Sequence, residues 1–318
     1  MRISKSFNKG QQTLEPIGAR LSSTREKTSW RGWRLTLTRL QTGWVRLLNI
    51  SIILLGCRFS PDEGPSTAFF YGRPVPLELF TQYERVVVEV DSLESDKILK
   101  SSTAQIFVYL SVGEAERWRN GYEQLEKGWF LGVNSNWKSD IADLTEPGWQ
   151  KYLLKRMSAL WARGYRGFFL DTLDSYRAVV APGSAQAAQR EALLDLIREM
   201  HKCFPGIQLL FNRGFELLPE ASGFAVGIVA ESLFQSWDPV SRRYKAVNDA
   251  DRAWLLEHLQ VARDRYNLPV TVIDYLQPEH RALAHENAIR IAKLGFTPWI
   301  TNPSLDIIGI GAVDLAVD

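Results

Sequence analysis

Gly164-Tyr165-Arg166-Gly167-Phe168-Phe169-Leu170-Asp171-Thr172-Leu173-Asp174-Ser175-Tyr176 is the stretch from which the fold of this chain can be worked out. Residues 167–170 are a short apolar run without polar alternation, as in strands of a parallel sheet covered on both faces. The run stops at a carboxylate, Asp171, and a second follows at Asp174. Working outward, seven more runs share this character: 68–71, 85–90, 105–110, 207–211, 227–230, 269–273 and 296–300. Helical spacing fills several of the intervals, over 149–163, 189–203, 249–266 and 279–294, with Gly or Pro stops such as Gly164, Pro205-Gly206 and Gly295. Eight strands alternating with helices over roughly 250 residues is the size of a (β/α)₈ TIM barrel of the α/β class. An open, doubly wound sheet is the alternative. No G-x-G-x-x-G turn follows the first strand, which weakens its dinucleotide-binding version.

The sequence before the barrel has a different character. Lys and Arg far outnumber the two acids, Glu15 and Glu26, ahead of Cys57. A short apolar run, 47–56, ends in Leu54-Leu55-Gly56-Cys57. A basic flank, an apolar stretch too short to span a bilayer and a small residue before a cut form a secretory signal. The run's end is similar to a bacterial lipobox, which implies cleavage before Cys57 and lipidation of that residue. Several acyl chains on one residue make a stable membrane anchor, where a single chain is marginal. The alternatives are a signal with an incidental cysteine and, given the leader's length, a true start near Leu35 or Leu37. The expected organisation is therefore a leader over 1–57, a Ser/Pro/Gly-rich tether over 58–67 and a single barrel over 68–318. The expected location is the bacterial cell envelope, lipid-anchored or secreted.

Composition narrows the chemistry. Hydrophobic residues at 45% and charged residues at 23% are ordinary for a soluble domain, so a sizeable core is available. The net charge of +2 is concentrated in the leader, leaving no basic stripe for nucleic acid in the remainder. Two cysteines, Cys57 and Cys203, allow no disulfide framework or thiolate zinc cluster, and His201, His258, His280 and His285 lack ligand spacing. Cys203 is expected buried at a helix end, and the histidines at the surface or in packing. No metal and no cofactor are expected, and the chain is read as a monomer.

In such barrels the chemistry sits where strands end. The eight ends carry Tyr71; Glu89 with Asp91; Glu114; Asp171 with Asp174 and Tyr176; Asn212; Glu231; Asp274 with Tyr275; and Asn302. One acid at a strand end is unremarkable, but convergence around a ring is not. Acids dominate, and paired carboxylates suit glycoside hydrolysis: one protonated to release the leaving oxygen, the other ionised. Aromatics frame the same ends: Tyr71, Trp129, Trp137, Tyr176, Trp237, Tyr275 and Trp299, of which three or four are expected to face a sugar and the rest to pack.

Residues 128–134, 164–176 and 109–114, with Ala68-Phe69-Phe70-Tyr71-Gly72 and Val86-Val87-Val88-Glu89, resemble the endo-α-1,4-polygalactosaminidase group, glycoside hydrolase family 114 and its relatives. The likeness spans nearly all of 68–302, and Phe169-Leu170-Asp171-Thr172-Leu173-Asp174 is its most specific part. It implies a (β/α)₈ fold, endo-cleavage of a galactosamine-rich, partly deacetylated polysaccharide, and Asp171 and Glu231 as leading catalytic candidates. Some members continue into a deacetylase region; with the sequence ending at Asp318, trimming or degradation of the polymer is the implied role. Asp171 is then expected as nucleophile or electrostatic stabiliser and Glu231 as general acid/base. Substrate acetamide assistance is a third route. Glu89, Glu114 and Asp174 are expected to meet substrate hydroxyls or ammonium groups, Asn212 and Asp274 to position, and Tyr71, Tyr176, Tyr275 and Trp299 to contact sugar. The rival readings are a non-catalytic carbohydrate-binding envelope lipoprotein and a purely structural barrel.

Overall fold

The computed structural model describes residues 64–93 and 95–310. In chain order it runs β1 (Thr67–Phe70), α1 (Leu77–Phe80), β2 (Arg85–Val88), α2 (Ile98–Ser101) and β3 (Gln105–Ser111). An excursion follows, β4 (Glu114–Glu116), β5 (Phe130–Asn134) and β6 (Ser139–Ala142), then α3 (Pro147–Arg163), β7 (Gly167–Asp171), α4 (Ser184–Cys203) and β8 (Gln208–Asn212). The last part is α5 (Leu218–Ala221), β9 (Ala225–Glu231), a hairpin of β10 (Gln235–Asp238) and β11 (Arg243–Ala246), α6 (Asp249–Asp264), β12 (Val270–Tyr275), α7 (Arg281–Lys293) and β13 (Thr297–Thr301).

Eight strands pair in parallel in the order β1-β2-β3-β7-β8-β9-β12-β13. This is a (β/α)₈ barrel, nearly closed. No ladder joins β13 to β1; the seam is bridged by rings, Phe69 lying 6.4 Å from Trp299. The apolar runs behave as their composition demands. Along β1, Phe69 turns inward to Phe169 across the barrel at 5.4 Å, while its neighbour Phe70 turns outward to Phe80 of α1 at 5.9 Å. Each such ring, buried, contributes about 1.5–3 kcal/mol. Gly167 makes room for this filling: a Cβ there would stand 2.8 Å from the Phe107 ring and 2.7 Å from the Ile106 carbonyl.

The long helices are set by local chemistry. Glu146 caps α3 by accepting from the Gly148 N–H, Pro147 opens it, and Gly164 closes it at φ 108°. Asn248 caps α6 by accepting from the Asp251 N–H, with Asp249 and Asp251 in the first turn, where acids favour the helix dipole. Only α3, α4, α6 and α7 exceed a single turn among the described helices; the three short ones follow β1, β2 and β8.

Three expectations change. The three-stranded β4-β6-β5 sheet and the β10-β11 hairpin are elements that the apolar runs do not announce, because their strands are only three to five residues long and carry polar residues throughout. Residues 64–66, assigned to a tether, are seated on the barrel: Thr297 donates to the Gly64 carbonyl and Glu84 accepts from the Ser66 N–H. Cys203 is exposed, its thiol donating to Glu199, because it falls on the outer face of the last turn of α4. Cys57 and the leader lie outside the described residues. Among the described residues no helix is long and apolar enough to cross a membrane.

Gly113 ties the β3 end to the β7 end. Its N–H donates to Thr172 Oγ1 at 2.8 Å, and a Cβ on it would stand 2.1 Å from the Thr172 carbonyl oxygen. Gly113→Ala therefore displaces the backbone next to Asp171. We expect a loss of about 1–3 kcal/mol in a urea titration, with reduced turnover; an unchanged midpoint would contradict this close approach.

Candidate active site

Three adjacent strands end alike. Asp171 closes β7, Asn212 closes β8 and Glu231 closes β9, and each is followed by a residue in the left-handed region: Thr172 at φ 63°, Arg213 at 56° and Ser232 at 67°. Such backbone costs on the order of 1–3 kcal/mol per residue and gathers at functional sites. None of the three followers is glycine, so composition gives no warning of these turns.

The three side chains converge. Asn212 Nδ2 donates to Asp171 Oδ1 at 2.7 Å and to Glu231 Oε1 at 2.9 Å. Only the amide nitrogen can face two carboxylates, and this orientation leaves Asn212 Oδ1 buried without a partner. Two oxygens sharing one nitrogen lie no farther apart than those two bonds end to end. The two carboxyl groups thus face one another across a single amide.

Tyrosines enclose the pair. Tyr109 Oη donates toward Asp171 Oδ2 at 2.9 Å and lies 3.2 Å from Glu116 Oε1. Tyr275 Oη donates to Glu231 Oε2 at 2.5 Å. The Tyr71 ring packs edge-on against Tyr109 at 5.6 Å. Burial, then repulsion from the nearby carboxylates, raises the pKa of Tyr71, Tyr109 and Tyr275 well above the ordinary phenol value. All three hydroxyls therefore stay protonated and can donate. Burial, and next the charge of Glu231, pushes Asp171 up to about 7, against the lowering hydrogen bonds from Asn212 and Tyr109. Near neutrality Asp171 is thus still partly protonated.

The raised Asp171 pKa has a consequence for stability. Between about pH 4 and pH 7 the folded chain keeps a proton that the unfolded chain releases. This contribution is complete below the unfolded value and is lost as pH rises through about 7. Asp171→Asn removes that loss, so the variant gains on wild type most above pH 7. Urea midpoints at pH 5 and pH 8 test it; the same wild-type–variant difference at both would contradict it.

The remaining strand-end residues are placed differently from one another. Glu89 is buried and accepts from Arg119 Nη2 at 2.6 Å. Glu114 is buried beneath the excursion, accepting from Ser139, from Ser175 at 2.6 Å and from Asn134 at 3.1 Å, with no hydrogen bond to the pair. Asp174 precedes a 3₁₀ turn, and Tyr176 in that turn is buried with its hydroxyl 3.4 Å from Glu216. Asp274 is fully buried and accepts from the N–H groups of Leu233, Phe234 and Gln235 and from Asn287. The two-residue strand period decides this: Asp274 and Tyr275 are consecutive, so only Tyr275 can face inward. Asp274 instead holds the loop that follows Glu231. Trp299 packs inside the barrel against Phe69 and Tyr83, 5% exposed, and so belongs to the filling and not to the mouth. Trp129 packs against Tyr152 of α3, and Trp137 is exposed.

Two participants go unassigned on sequence reading. Tyr109 sits inside an apolar run, yet it is two residues before Ser111, on the inward face; its period-two position is the available signal. Arg119 lies in the excursion, where no pattern marks it. Its guanidinium donates to Glu89, to Glu116 at 2.8 Å and to Asp91 at 3.1 Å, and stands over the Tyr109 and Trp118 rings at 5.1 and 4.6 Å. Burial opposes its charge, but the hydrogen bonds to Glu89 and Glu116 win and hold it firmly protonated. Among the described residues no group of three or more His, Cys, Asp or Glu could hold a metal ion.

The chain that carries this site has known relatives. The model of glycoside-hydrolase family GH114 matches residues 80–314. The glycoside hydrolase domain of PelA from Pseudomonas aeruginosa is 37% identical, with a TM-score of 0.71 over 77% of this chain and 98% of that one. Aspergillus fumigatus Ega3, solved in complex with galactosamine, is 14% identical with a TM-score of 0.56 over 78% of this chain and 95% of that one, which shows the shared fold. A Deinococcus radiodurans protein is 25% identical over 210 residues, 63% of this chain and 65% of that protein's length.

Proposed function

This chain belongs to glycoside-hydrolase family GH114 and is a glycoside hydrolase, and from that premise we propose that it cleaves α-1,4-linked galactosamine/N-acetylgalactosamine polysaccharide internally, with Asp171 and Glu231 as the catalytic pair. The observation that carries the reading is the Asn212 amide bridging the two carboxyl groups. A non-catalytic sugar-binding barrel has no need of two acids held at that separation, one of them at an energetic disadvantage when ionised. The substrate class rests on the likeness to the PelA domain, and the galactosamine bound to Ega3 agrees with it.

The steps follow from the placement. Asp171, ionised, attacks the anomeric carbon; the glycosidic C–O bond breaks and Glu231 gives its proton to the departing oxygen. In the second half Glu231 takes a proton from water, whose oxygen attacks the anomeric carbon as the bond to Asp171 breaks. In the free enzyme burial favours the proton on Asp171. A sugar with positive charge developing at its anomeric carbon beside Asp171 favours the carboxylate there and moves the proton to Glu231. Tyr275 and Tyr109 hold the two carboxyl groups in place, and Tyr71 offers a further hydroxyl at the mouth. Glu89, Glu114, Asp174, Tyr176 and Asp274 act by shaping and supporting this mouth, while Trp299 fills the barrel beneath it.

Reducing-end release from a partly deacetylated α-1,4-galactosamine polymer by residues 58–318 tests the assignment. Release of new ends with first products in the same anomeric configuration as the substrate is the expected result. No release, or inverted products, would overturn the substrate or the mechanism respectively. The lipobox-like end supports an envelope location, with the anchor on Cys57; a Cys57→Ser variant that still partitions with membranes would argue against the anchor.

A further inference from the structure

Beside the catalytic pair lies a second concavity. Arg213 and Ser232, the residues directly after Asn212 and Glu231, form one wall. The β10-β11 hairpin supplies Trp237 and Lys245, and the first turns of α6 supply Trp254 and Leu255. Its volume is about 470 Å³, inside the range of about 300–1,000 Å³ usual for ligand sites. The Arg213 guanidinium is fixed by donating to the Glu231 carbonyl at 3.1 Å, so the wall is built onto the backbone of the catalytic strand.

Its charge differs from that of the opposite rim. Across the mouth, Glu89, Asp91 and Glu116 face Arg119 and Arg156, leaving acid in excess. Here Arg213 and Lys245 line the concavity with a single carboxylate, Asp251, so among its lining side chains the cations are in excess. The acid on this rim, Asp251, is engaged by the Asn248 amide at 2.6 Å. Lys245 reaches Asp238 only at 3.4 Å and is 58% exposed. A sugar bearing a free ammonium would meet two cations against one carboxylate in this concavity. An N-acetyl group presents instead a carbonyl to which both can donate, and a methyl that Trp254 and Leu255 can cover. Trp254 is 48% exposed on α6, a large apolar face left open where a sugar ring could stack.

We infer that this concavity is a sugar subsite selecting an uncharged, N-acetylated hexosamine residue of the polymer, adjoining the residue that is cleaved. The inference rests on the polysaccharide reading above and names which sugars that reading admits on the β8–β9 side. It makes cleavage depend on the pattern of deacetylation along the chain, because one side of the mouth favours ammonium and the other favours an uncharged acetamide.

Calorimetric titration of fully N-acetylated and fully deacetylated α-1,4-galactosamine tetrasaccharides into Glu231→Gln, which holds them uncleaved, tests it. Trp254→Ala added to that background is expected to weaken the acetylated ligand about tenfold and the deacetylated one little. Lys245→Glu, on an exposed hairpin where folding is not at stake, is expected to strengthen the deacetylated ligand and so narrow or reverse the preference. Equal losses for both ligands, or no change in either variant, would overturn the subsite. A wild type that cleaves no polymer while this binding preference holds would sink the hydrolase substrate assignment and leave the subsite standing. Cleavage with no such preference would sink the subsite alone.

Discussion

Glu231→Gln is expected to lower turnover of the polymer by about 10²–10⁴-fold, the loss that follows removal of a general acid. Asp171→Asn is expected to be at least as severe, on the order of 10⁴-fold or more, as when a group that works in concert with others is removed. Both side chains keep their shape, so Asn212 can still hold the site together and folding should survive. The two variants should differ on an aryl glycoside whose leaving group needs no proton. Glu231→Gln retains a fast first step on such a substrate and then accumulates the covalent sugar, because no base remains to activate water. Asp171→Asn is slow from the start, because no bond to the anomeric carbon can form. Stopped-flow release of the aryl group, with mass spectrometry of the protein, separates the cases. If both variants kept near wild-type turnover, the assigned pair would be wrong. The pH profile follows from the same chemistry. One proton must be available for the leaving oxygen, and burial holds a proton at Asp171 up to about pH 7, so kcat/KM should fall above that value.

Arg119→Met carries the largest expected structural effect. Arg119 and Glu89 side chains are each only 7% exposed, and Glu116 13%. Removing the cation leaves two carboxylates with little water and no counter-charge. Breaking a buried pair in this way costs about 3–5 kcal/mol. In a domain of this size that is a fall in Tm of about 6–20 °C. The damage should reach the chemistry as well, since Glu116 and Asp171 share the Tyr109 hydroxyl. Adding Glu89→Gln and Glu116→Gln to Arg119→Met removes the uncompensated charges and should recover most of the midpoint. Differential scanning calorimetry of the single and triple variants checks this. A triple variant no more stable than the single one would mean that Arg119 acts by packing over Tyr109 and Trp118, not by charge.

Much of this architecture is legible in the amino-acid sequence. All eight barrel strands lie where continuous apolar runs predict them, because a strand covered on both faces has no use for polar alternation. The four long helices follow from spacing and stops, and the C-terminal ends of the strands are where the carboxylates collect. The excursion after β3 and the β10-β11 hairpin do not show there. Their strands are too short to show a pattern distinct from loop, and the placement of Arg119 and Lys245 is hidden with them.

The amino-acid sequence by itself determined the barrel, the family and the ring of acids, since burial is written in hydrophobicity and strand ends in its interruption. Only the tertiary structure decided which acids meet. Asp274 and Tyr275 are neighbours in sequence yet face opposite sides of one strand; Glu114 is drawn under its own excursion; Glu89 is claimed by an arginine thirty residues away. Asp171, Asn212 and Glu231 come from three separate strands, and nothing local requires one amide to reach both carboxylates. That follows from strand register and the left-handed turns after each residue, which are set by packing between elements and not by the residues themselves.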